Sequence, residues 1–285
     1  MNIADRIIHK LFFLHQWYLL YNLGGDSSHN FTQFKELIPS KDRFWADPFV
    51  VYQNQRYYIF IEEYFYRRGK GHLAVMELDQ KGSWTEPVRI LEKPYHLSYP
   101  FIFEWEGKTY LIPESVENRT IDLYECVEFP LQWKFKKTLM DGVLAVDTTL
   151  LRHQGKWWMF TGIAPWQKAL PFVELHLFFA DDLLAGSWRP HPRNPVIPQA
   201  NCARPAGSLF TREGKLIRPA QNCSKMYGYG VDFYQVVVLS ETEYTEKRIE
   251  SIQPDWNEKV LATHSYSQNE LLTVIDALQK RSKWG

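Results

Sequence analysis

The sequence predicts an all-β protein, a five-bladed β-propeller whose last blade is closed by strands from both ends of the chain. The first observation is a repeated unit of two short apolar runs joined by a turn, which begins at residues 44–49 (FWADPF). Anchor positions at Asp47, Pro100, Asp147 and Pro205 lie 53, 47 and 58 residues apart. A period of about 40–50 residues with several strands per unit is typical of propeller blades, and longer loops account for the larger spacings.

The second observation is a Gly-Lys turn between the first two strands of three units, at residues 107–108, 155–156 and 214–215. The third is a 16% content of aromatic residues, which favours strands and also suits sugar sites, although most aromatic side chains simply pack between sheets. A β-sandwich would not be expected to give four near-equal units. Residues 1–285 are therefore predicted to form a single propeller domain.

Each blade is predicted from its apolar runs. In blade one the strands are residues 49–52, 57–61, 72–78 and 88–91. Blades two, three and four extend over residues 95–140, 143–198 and 202–252, and their third strands are residues 120–127, 174–180 and 231–239. The C-terminal runs 264–267 and 271–275 supply only an inner pair, so residues 16–23 and 34–38 are predicted to complete blade five. Closure by strands from both termini removes exposed sheet edges.

Composition excludes several functions. Lys and Arg balance Asp and Glu, and the isoelectric point is about 7.1, so there is no electrostatic footprint for nucleic acid. Three cysteines without metal-ligand spacing are too few for a disulfide framework and indicate a reducing, cytoplasmic location. No sequence feature calls for a cofactor.

The N-terminal segment is predicted to contain a short amphipathic helix within residues 1–15. Ile3, Ile7, Ile8 and Leu11 recur at helical spacing, and basic residues lie between them. The segment is too short and too polar to span a membrane, and no small-residue cleavage site follows it. It either packs on the domain or makes a peripheral membrane contact.

The two inner strands of a blade predict where the chemistry lies. In an antiparallel hairpin, the start of strand one and the end of strand two lie at the same face. Strand starts place at this mouth Asp47, His96, Tyr99, Asp147, Arg204 and His264. Strand ends place there Glu62, Glu63, Glu114, Arg218, Gln221 and Asp276.

A mouth of this composition suits a saccharide. Trp45, Tyr99 and Trp166 would supply aromatic faces, while carboxylates and arginines bind hydroxyl and anionic groups. Simpler interpretations stay open, since Asp47 and Asp147 could each cap a turn and the arginines could pair with neighbouring carboxylates. Adjacent residues on a strand face opposite ways, so at most one acid of the 62–63 pair points into the channel.

Metal binding is not predicted. Asp47, Asp147 or His264 could hold an ion, but no ligand spacing demands one. The glycine-rich loop at residues 227–230 (YGYG) connects strands two and three of blade four. It either covers a ligand, with Tyr229 in contact, or merely turns the chain.

Several motifs resemble those of one family. They include residues 44–49 (FWADPF), 112–114 (IPE), 147–151 (DTTLL), 157–161 (WWMFT) and 203–207 (ARPAG). Together they resemble the propeller domain at the N-terminus of glucosamine inositolphosphorylceramide transferases and its bacterial relatives. The resemblance covers about residues 17–276 and implies a role in surface glycan or glycolipid biosynthesis.

A more distant resemblance is to the five-bladed glycosidases of the arabinanase and xylosidase type. Those enzymes use an Asp of blade one as base, an Asp of blade two that tunes its pKa, and a Glu of blade three as acid. Asp47 matches the first role, whereas Tyr99 occupies the second position and Asp147 the third. The departure puts an ordinary hydrolase of that type in doubt.

Glycosyl transfer is the predicted activity, on a carbohydrate or glycolipid with an activated sugar donor as partner. The predicted catalytic residues are Asp47 as base, with Asp147 or Glu114 as second carboxylate. The predicted substrate-binding residues are Trp45, Glu63, His96, Tyr99, Arg204, Arg218, Gln221, Tyr229 and His264. Arg204 and Arg218 would hold an anionic group through bidentate hydrogen bonds. The alternatives are a two-carboxylate glycoside hydrolase and a glycan-binding module without activity.

Overall fold

The computed structural model describes residues 13–24, 30–164 and 173–283. Within them, the chain forms five antiparallel sheets arranged as the five blades of a propeller, as predicted. The first two strands are β1 (Phe13–Leu23) and β2 (Lys35–Leu37). Blade one follows with β3 (Arg43–Gln53), β4 (Arg56–Phe65), β5 (Lys70–Leu78) and β6 (Val88–Leu91). Blade two has β7 (Ser98–Trp105), β8 (Lys108–Glu114), β9 (Thr120–Glu128) and β10 (Gln132–Asp141).

The remaining blades follow in chain order. Blade three has β11 (Ala145–His153), β12 (Lys156–Ile163), β13 (Glu174–Ala180) and β14 (Arg189–Pro190). Blade four has β15 (Phe210–Arg212), β16 (Lys215–Asn222), β17 (Gly230–Leu239) and β18 (Tyr244–Ile252). The C-terminal strands are β19 (Val260–Ala262), β20 (Tyr266–Asn269) and β21 (Leu272–Ser282). Two short 3₁₀ helices occur at Phe31–Gln33 and Val116–Asn118.

Blade five is built from both ends of the chain. β21 pairs with β20 on one side and with β1 on the other, and β1 then pairs with β2. The β1–β21 register runs without interruption from Phe13–Ser282 to Leu23–Leu272. The composite blade is therefore confirmed, and the additional β19, which pairs with β21, was not predicted.

Tight turns set the register of the inner hairpins. Glu106-Gly107, Gln154-Gly155 and Glu213-Gly214 all have positive φ at both positions, as a type I′ hairpin turn requires. Blade one has the same geometry at Asn54 and Gln55, without glycine. The recurrent Gly-Lys sequence is thus a turn signal, because glycine adopts positive φ without steric strain.

The core lies between neighbouring blades, where aromatic side chains interlock. Phe60 of blade one meets Trp133 of blade two edge-to-face with ring centroids 6.0 Å apart. Phe103 of blade two meets Trp157 of blade three in the same way at 5.6 Å. Such contacts, together with area burial, hold the blades to one another.

Three inner strands carry a β-bulge at the same height. In β3, β7 and β11 the pairing register shifts, and Asp47, Tyr99 and Asp147 have φ of 52°, 45° and 51°. Left-handed backbone at a non-glycine residue costs about 1–3 kcal/mol and persists only where the surroundings impose it. The bulges re-aim these residues within their strands.

The predicted N-terminal helix falls mainly on residues 1–12, which lie outside the described residues. Residues 13–15, which the same prediction included, are extended and begin β1, so for them the prediction is wrong. Their backbone pairs with β21, because β1 supplies the third strand of blade five. Among the described residues, no helix is long and apolar enough to cross a membrane.

Candidate functional site

Eight polar side chains from all five blades meet at one end of the central channel. We call this set the channel cluster; each residue is at most 7% exposed. Its members are Asp47, Glu62, Glu114, Asp147, Arg204, Gln221, His264 and Asp276. Ionisable side chains are rarely buried without partners, so the cluster is a candidate site rather than ordinary core.

The bulges determine how the carboxylates are held. The backbone N–H of Asp47 donates to Asp276 Oδ2 (3.2 Å), that of Tyr99 to Asp47 Oδ2 (3.2 Å), and that of Asp147 to Glu114 Oε2 (3.3 Å). In each case a bulge amide is satisfied by a carboxylate of the preceding blade. The positions of the carboxylates are therefore fixed by the backbone of the neighbouring blade as well as by their own strand.

Arg204 joins two of the carboxylates. Its Nε donates to Asp147 Oδ2 at 2.5 Å, and its terminal nitrogen donates to Glu114 Oε2 at 3.2 Å. Gln221 Nε2 donates to the same Asp147 oxygen at 3.2 Å. Burial raises the pKa of Asp147 to about 8, since the nearby Glu114 adds to the effect and Arg204 only partly offsets it. Asp147 therefore holds a proton more readily than an exposed aspartate does.

His264 lies between two other carboxylates. Its Nδ1 is 2.6 Å from Asp276 Oδ2, and its Nε2 is 3.7 Å from Asp47 Oδ1. Burial lowers the pKa of His264, but Asp276 and Asp47 outweigh it and raise the pKa to about 9. The imidazolium is stacked on Trp17 of β1, with ring centroids 4.1 Å apart.

Asp47 is already engaged at both oxygens. Ser265 donates its hydroxyl to Oδ1 at 2.9 Å, and the Tyr99 amide donates to Oδ2. Burial raises the pKa of Asp47, and Asp147 and Asp276 contribute in the same direction against His264. A raised pKa makes the carboxylate a stronger base than an exposed aspartate.

The mouth of the cluster is covered in part by Tyr227, which is 37% exposed. Its ring meets His264 edge-on at 5.7 Å, and the Arg204 guanidinium lies 5.1 Å from its centroid. The next residue, Gly228, has φ of +64°, and a Cβ there would lie 2.9 Å from His264 Cβ. Glycine at this position allows the loop to pack directly over His264.

Six predicted site residues are brought together in the cluster: Asp47, Glu114, Asp147, Arg204, Gln221 and His264. His96 lies at the edge, with its side chain 25% exposed and Nε2 3.4 Å from Glu62 Oε1. Trp166, which was expected at the rim, lies outside the described residues.

Tyr99 is close to the cluster but is fully buried. Its hydroxyl is shared with Thr149 Oγ1 (2.9 Å) and accepts the Gly207 amide (2.9 Å). These bonds tie blade two to blades three and four. The predicted sugar contact through Tyr99 therefore needs correction, because its hydroxyl is used between blades.

Trp45 and Glu63 do not reach the cluster, which corrects their prediction as saccharide contacts. They are cross-strand partners on the face of blade one that packs against blade five, where Trp45 shares a hydrophobic cluster with β1 and β21. The Trp45 indole N–H donates to Glu63 Oε1 at 3.1 Å, and His72 Nε2 lies 3.0 Å from Glu63 Oε2. Side chains alternate along β4, so the residue that faces the channel is Glu62.

Arg218 is also elsewhere. Its Nε and terminal nitrogen bind both oxygens of Glu246, at 2.7 and 2.6 Å. Three positions separate Arg218 from Gln221 on β16, and an odd separation places their side chains on opposite faces. Arg218 is therefore a buried ion-pair partner between strands, and its predicted anion contact is corrected.

Tyr229 makes its contact with Lys225, whose Nζ donates to the phenol oxygen at 2.7 Å. The tyrosine of this loop that meets the cluster is Tyr227, which corrects the prediction for Tyr229.

Sequence reasoning also did not assign Trp17 and Ser265. Trp17 had no local signal, since it is 247 positions from the histidine on which it stacks. Ser265 could have been predicted, because it directly follows His264 just before an inner strand, where the other site residues were sought.

Within the part of the chain that the structure describes, one group of residues could hold a metal ion. Ligand atoms of Asp47, His264 and Asp276 all lie within 4.8 Å of one another. The same atoms are engaged in protein contacts: Asp47 with Ser265, and Asp276 with His264 and the Asp47 amide. The imidazolium of His264 thus offsets part of the negative charge of the two carboxylates within the protein.

The fold and the cluster define a class: a five-bladed propeller with a carboxylate-rich channel end. A family model described as "Glucosamine inositolphosphorylceramide transferase 1, N-terminal" matches residues 34–271. The chain belongs to this family.

Two curated relatives share the name glucosamine inositolphosphorylceramide transferase 1. The one from Oryza sativa subsp. japonica is 34% identical over 206 residues, which cover 71% of this chain and 27% of the relative. The one from Arabidopsis thaliana is 34% identical over 215 residues, which cover 74% and 28%. This chain thus spans about a quarter of the length of these relatives.

Solved structures support the fold. The catalytic domain of Coprinopsis cinerea GH62 α-L-arabinofuranosidase has a TM-score of 0.60 at 11% identity, covering 87% of this chain and 96% of that one. Zg3597, a family 117 glycoside hydrolase from Zobellia galactanivorans, has a TM-score of 0.57 at 14% identity, covering 93% and 91%. At these identities the likeness concerns the fold alone.

Proposed function

We propose that the channel cluster binds a saccharide and takes part in glycosyl transfer during glycolipid or surface glycan biosynthesis. The observation that carries the proposal is the convergence of Asp47, Glu114 and Asp147 in one buried cluster, where Asp147 has a pKa of about 8. Membership of a family named for glucosamine inositolphosphorylceramide transferases supports the same reaction class.

Asp47 is the proposed base. It takes the proton of an acceptor hydroxyl while the acceptor oxygen forms a bond to the anomeric carbon of a donor sugar. The bond from that carbon to the leaving group breaks, and the leaving group departs with the electron pair. His264 and Ser265 hold Asp47 Oδ1 in place during this step.

Asp147 is the proposed acid. Near neutral pH its carboxyl retains the proton that the departing oxygen needs, and Arg204 holds it beside Glu114. Arg204 is engaged by these two carboxylates, so the proposal assigns it to positioning rather than to binding a phosphate. An activated sugar donor and a glycolipid acceptor are proposed as partners.

The test is product formation with sugar nucleotides and lipid or glycan acceptors, and with aryl glycosides in parallel. We expect Asp47→Asn and Asp147→Asn each to lower transfer by about 100-fold or more. Asp181→Asn is a matched control, since Asp181 is an exposed aspartate paired with Lys156 and Arg189. Equal transfer by Asp47→Asn and the wild type would contradict the proposed base.

A second candidate, saccharide binding without turnover, is favoured by one observation. Both oxygens of Asp47 already accept hydrogen bonds from Ser265 and the Tyr99 amide. Binding of a glycan by wild type and Asp47→Asn alike, with no product in either assay, would support this candidate. Release of aryl alcohol without transfer would instead indicate a hydrolase.

The cytoplasmic location and a membrane contact through residues 1–15 stay predictions. Fractionation of cells expressing the chain, with and without residues 1–12, would test both. Recovery of the intact chain with membranes, and of the shortened chain in the soluble fraction, is the expected result.

A further inference from the structure

Glu62 differs from the other carboxylates of the channel cluster because its partners are incomplete. Its Oε1 is buried and has no hydrogen-bond partner among residues 13–24, 30–164 and 173–283. His96 Nε2 approaches this oxygen at 3.4 Å but does not form a hydrogen bond with it. A buried polar atom without a partner is unfavourable, so an unpaired acid within a candidate site indicates a ligand that pairs with it.

The neighbouring His96 has a defined tautomer. Its Nδ1 accepts the backbone N–H of Gly71 at 2.9 Å, which leaves the ring proton on Nε2, the nitrogen that faces Glu62. Burial lowers the pKa of His96, so the ring is neutral near neutral pH. His96 thus presents one N–H at the edge of the cluster and carries no charge there.

Gly71 makes room for this pair. A Cβ at residue 71 would lie 2.6 Å from Glu62 Oε1 and 2.9 Å from His96 Cε1. It would also lie 2.7 Å from the carbonyl oxygen of Leu97, which is backbone and cannot move aside easily. Glycine at this position therefore lets the β5 backbone approach the Glu62 carboxyl and the His96 ring closely, which holds the two side chains side by side.

The surroundings of Glu62 favour its protonated form. Burial and the negative charges of Asp47, Glu114, Asp276 and Asp147 raise its pKa well above the usual value. The cluster's positive groups are taken up elsewhere: Arg204 pairs with Asp147 and Glu114, and His264 lies between Asp276 and Asp47. An anionic ligand group would be repelled at this position, whereas a neutral hydroxyl would not.

We propose that Glu62 and His96 form a hydroxyl-binding subsite of the saccharide site, in which the neutral Glu62 carboxyl both donates to and accepts from uncharged sugar hydroxyls. This inference rests on the proposed function, because it specifies how the same site recognises its ligand. The subsite selects the neutral hydroxylated face of a sugar over a carboxylate or phosphate. A carboxamide has the same donor and acceptor pattern as a carboxylic acid, which makes the idea testable.

The test is a binding titration with a panel of neutral methyl glycosides, with glucuronic acid and glucose phosphate as anionic probes. We expect Glu62→Gln to bind the preferred neutral glycoside within about threefold of the wild type, and Glu62→Ala to lose about tenfold or more. Glu63→Gln is the control for the same change on the opposite face of β4. As pH rises above the pKa of Glu62, wild-type affinity should fall relative to Glu62→Gln, because the ionised carboxyl no longer donates.

Equal affinity of Glu62→Ala and wild type would overturn the subsite while leaving saccharide binding intact. Loss of affinity in Glu62→Gln equal to that in Glu62→Ala, with wild-type affinity rising at alkaline pH, would also overturn it, since Glu62 would then act as an anion. Failure of the wild type to bind any panel member would overturn both the subsite and the proposed function. Carboxyl ¹³C NMR of the unliganded protein provides a separate check: an ionised Glu62 at neutral pH contradicts the proposal.

Discussion

Two adjacent residues, Glu62 and Glu63, show how one strand serves two regions of the molecule. They are buried alike, at 6% and 4% exposed. Glu63 accepts hydrogen bonds from Trp45 and Arg43 and pairs with His72, so these contacts lower its pKa although burial alone would raise it. Glu62 faces four carboxylates, and its pKa is raised. The comparison shows that partners, rather than burial, decide the charge of a buried acid here.

The largest effect is expected where the channel side loses its buried cation. Arg204→Met would leave Asp147 and Glu114 facing each other without a positive charge. Removing one partner of a buried ion pair lowers the free energy of unfolding by about 3–5 kcal/mol. Chemical denaturation would measure the loss, with Arg189→Met as the control, because that arginine pairs at the surface and should change stability by less than about 1 kcal/mol. If Arg204→Met lowers the free energy of unfolding no more than Arg189→Met does, Arg204 does not stabilise the channel cluster.

A second change on the channel side concerns His264. His264→Gln should lower the free energy of unfolding by about 3 kcal/mol below pH 6, because Asp276 and Asp47 lose the imidazolium between them. The folded pKa is raised to about 9, so this stabilisation is present below the unfolded value of about 6.5 and is lost as pH rises through 9. Denaturation at several pH values should show the two proteins converging toward alkaline pH. A difference that stays constant with pH would contradict a charged His264.

On the opposite face of β4, Glu63→Gln should lower the free energy of unfolding by about 2 kcal/mol at neutral pH. The amide oxygen can still accept from Trp45 and Arg43, but glutamine lacks the negative charge beside Arg43 and the second acceptor oxygen that faces His72. The folded pKa of Glu63 is lowered, so its contribution is present above the unfolded pKa and disappears as pH falls through the folded one. The wild type should therefore approach Glu63→Gln in acid, as followed by thermal unfolding. Saccharide binding should not change.

The smallest change in stability is expected for Glu62→Gln, and it gives the most direct comparison between Glu62 and Glu63. Glu62→Gln should leave the free energy of unfolding nearly unchanged at acidic pH, since the native carboxyl is itself protonated there. A raised folded pKa means that stability falls as pH rises above the unfolded value, so the variant should become the more stable protein at alkaline pH. Parallel pH profiles of the wild type and Glu62→Gln would show that Glu62 has an ordinary pKa. The two neighbouring glutamates are thus predicted to respond to pH in opposite directions.

Much of the fold follows from local signals in the sequence. The Gly-Lys turns at residues 107–108, 155–156 and 214–215 adopt the geometry that their composition indicates. The repeat length predicted the blades, and the unpaired C-terminal strands predicted that β1 and β2 close the ring. These features depend on neighbouring residues and on counting strands, both of which can be obtained from the chain alone.

Which end of the channel carries the acids could also be predicted, because hairpin geometry places strand starts and ends together. Asp47, Glu114, Asp147 and His264 were found in this way. The choice between Glu62 and Glu63 was wrong. The alternation of side chains along β4 shows that the two glutamates face opposite ways, but only the packing of the neighbouring blades decides which of them faces the channel.

The sequence by itself thus determined the number of blades, the hairpin turns and the identity of most acids at the channel end. The tertiary structure alone decided which side chains are paired and which are left unpaired. Arg218 finds Glu246, Trp17 stacks on His264, and Glu62 remains without a partner for Oε1 among the described residues. Those outcomes depend on contacts between distant blades, and charge states in a buried cluster follow from such contacts rather than from residue type.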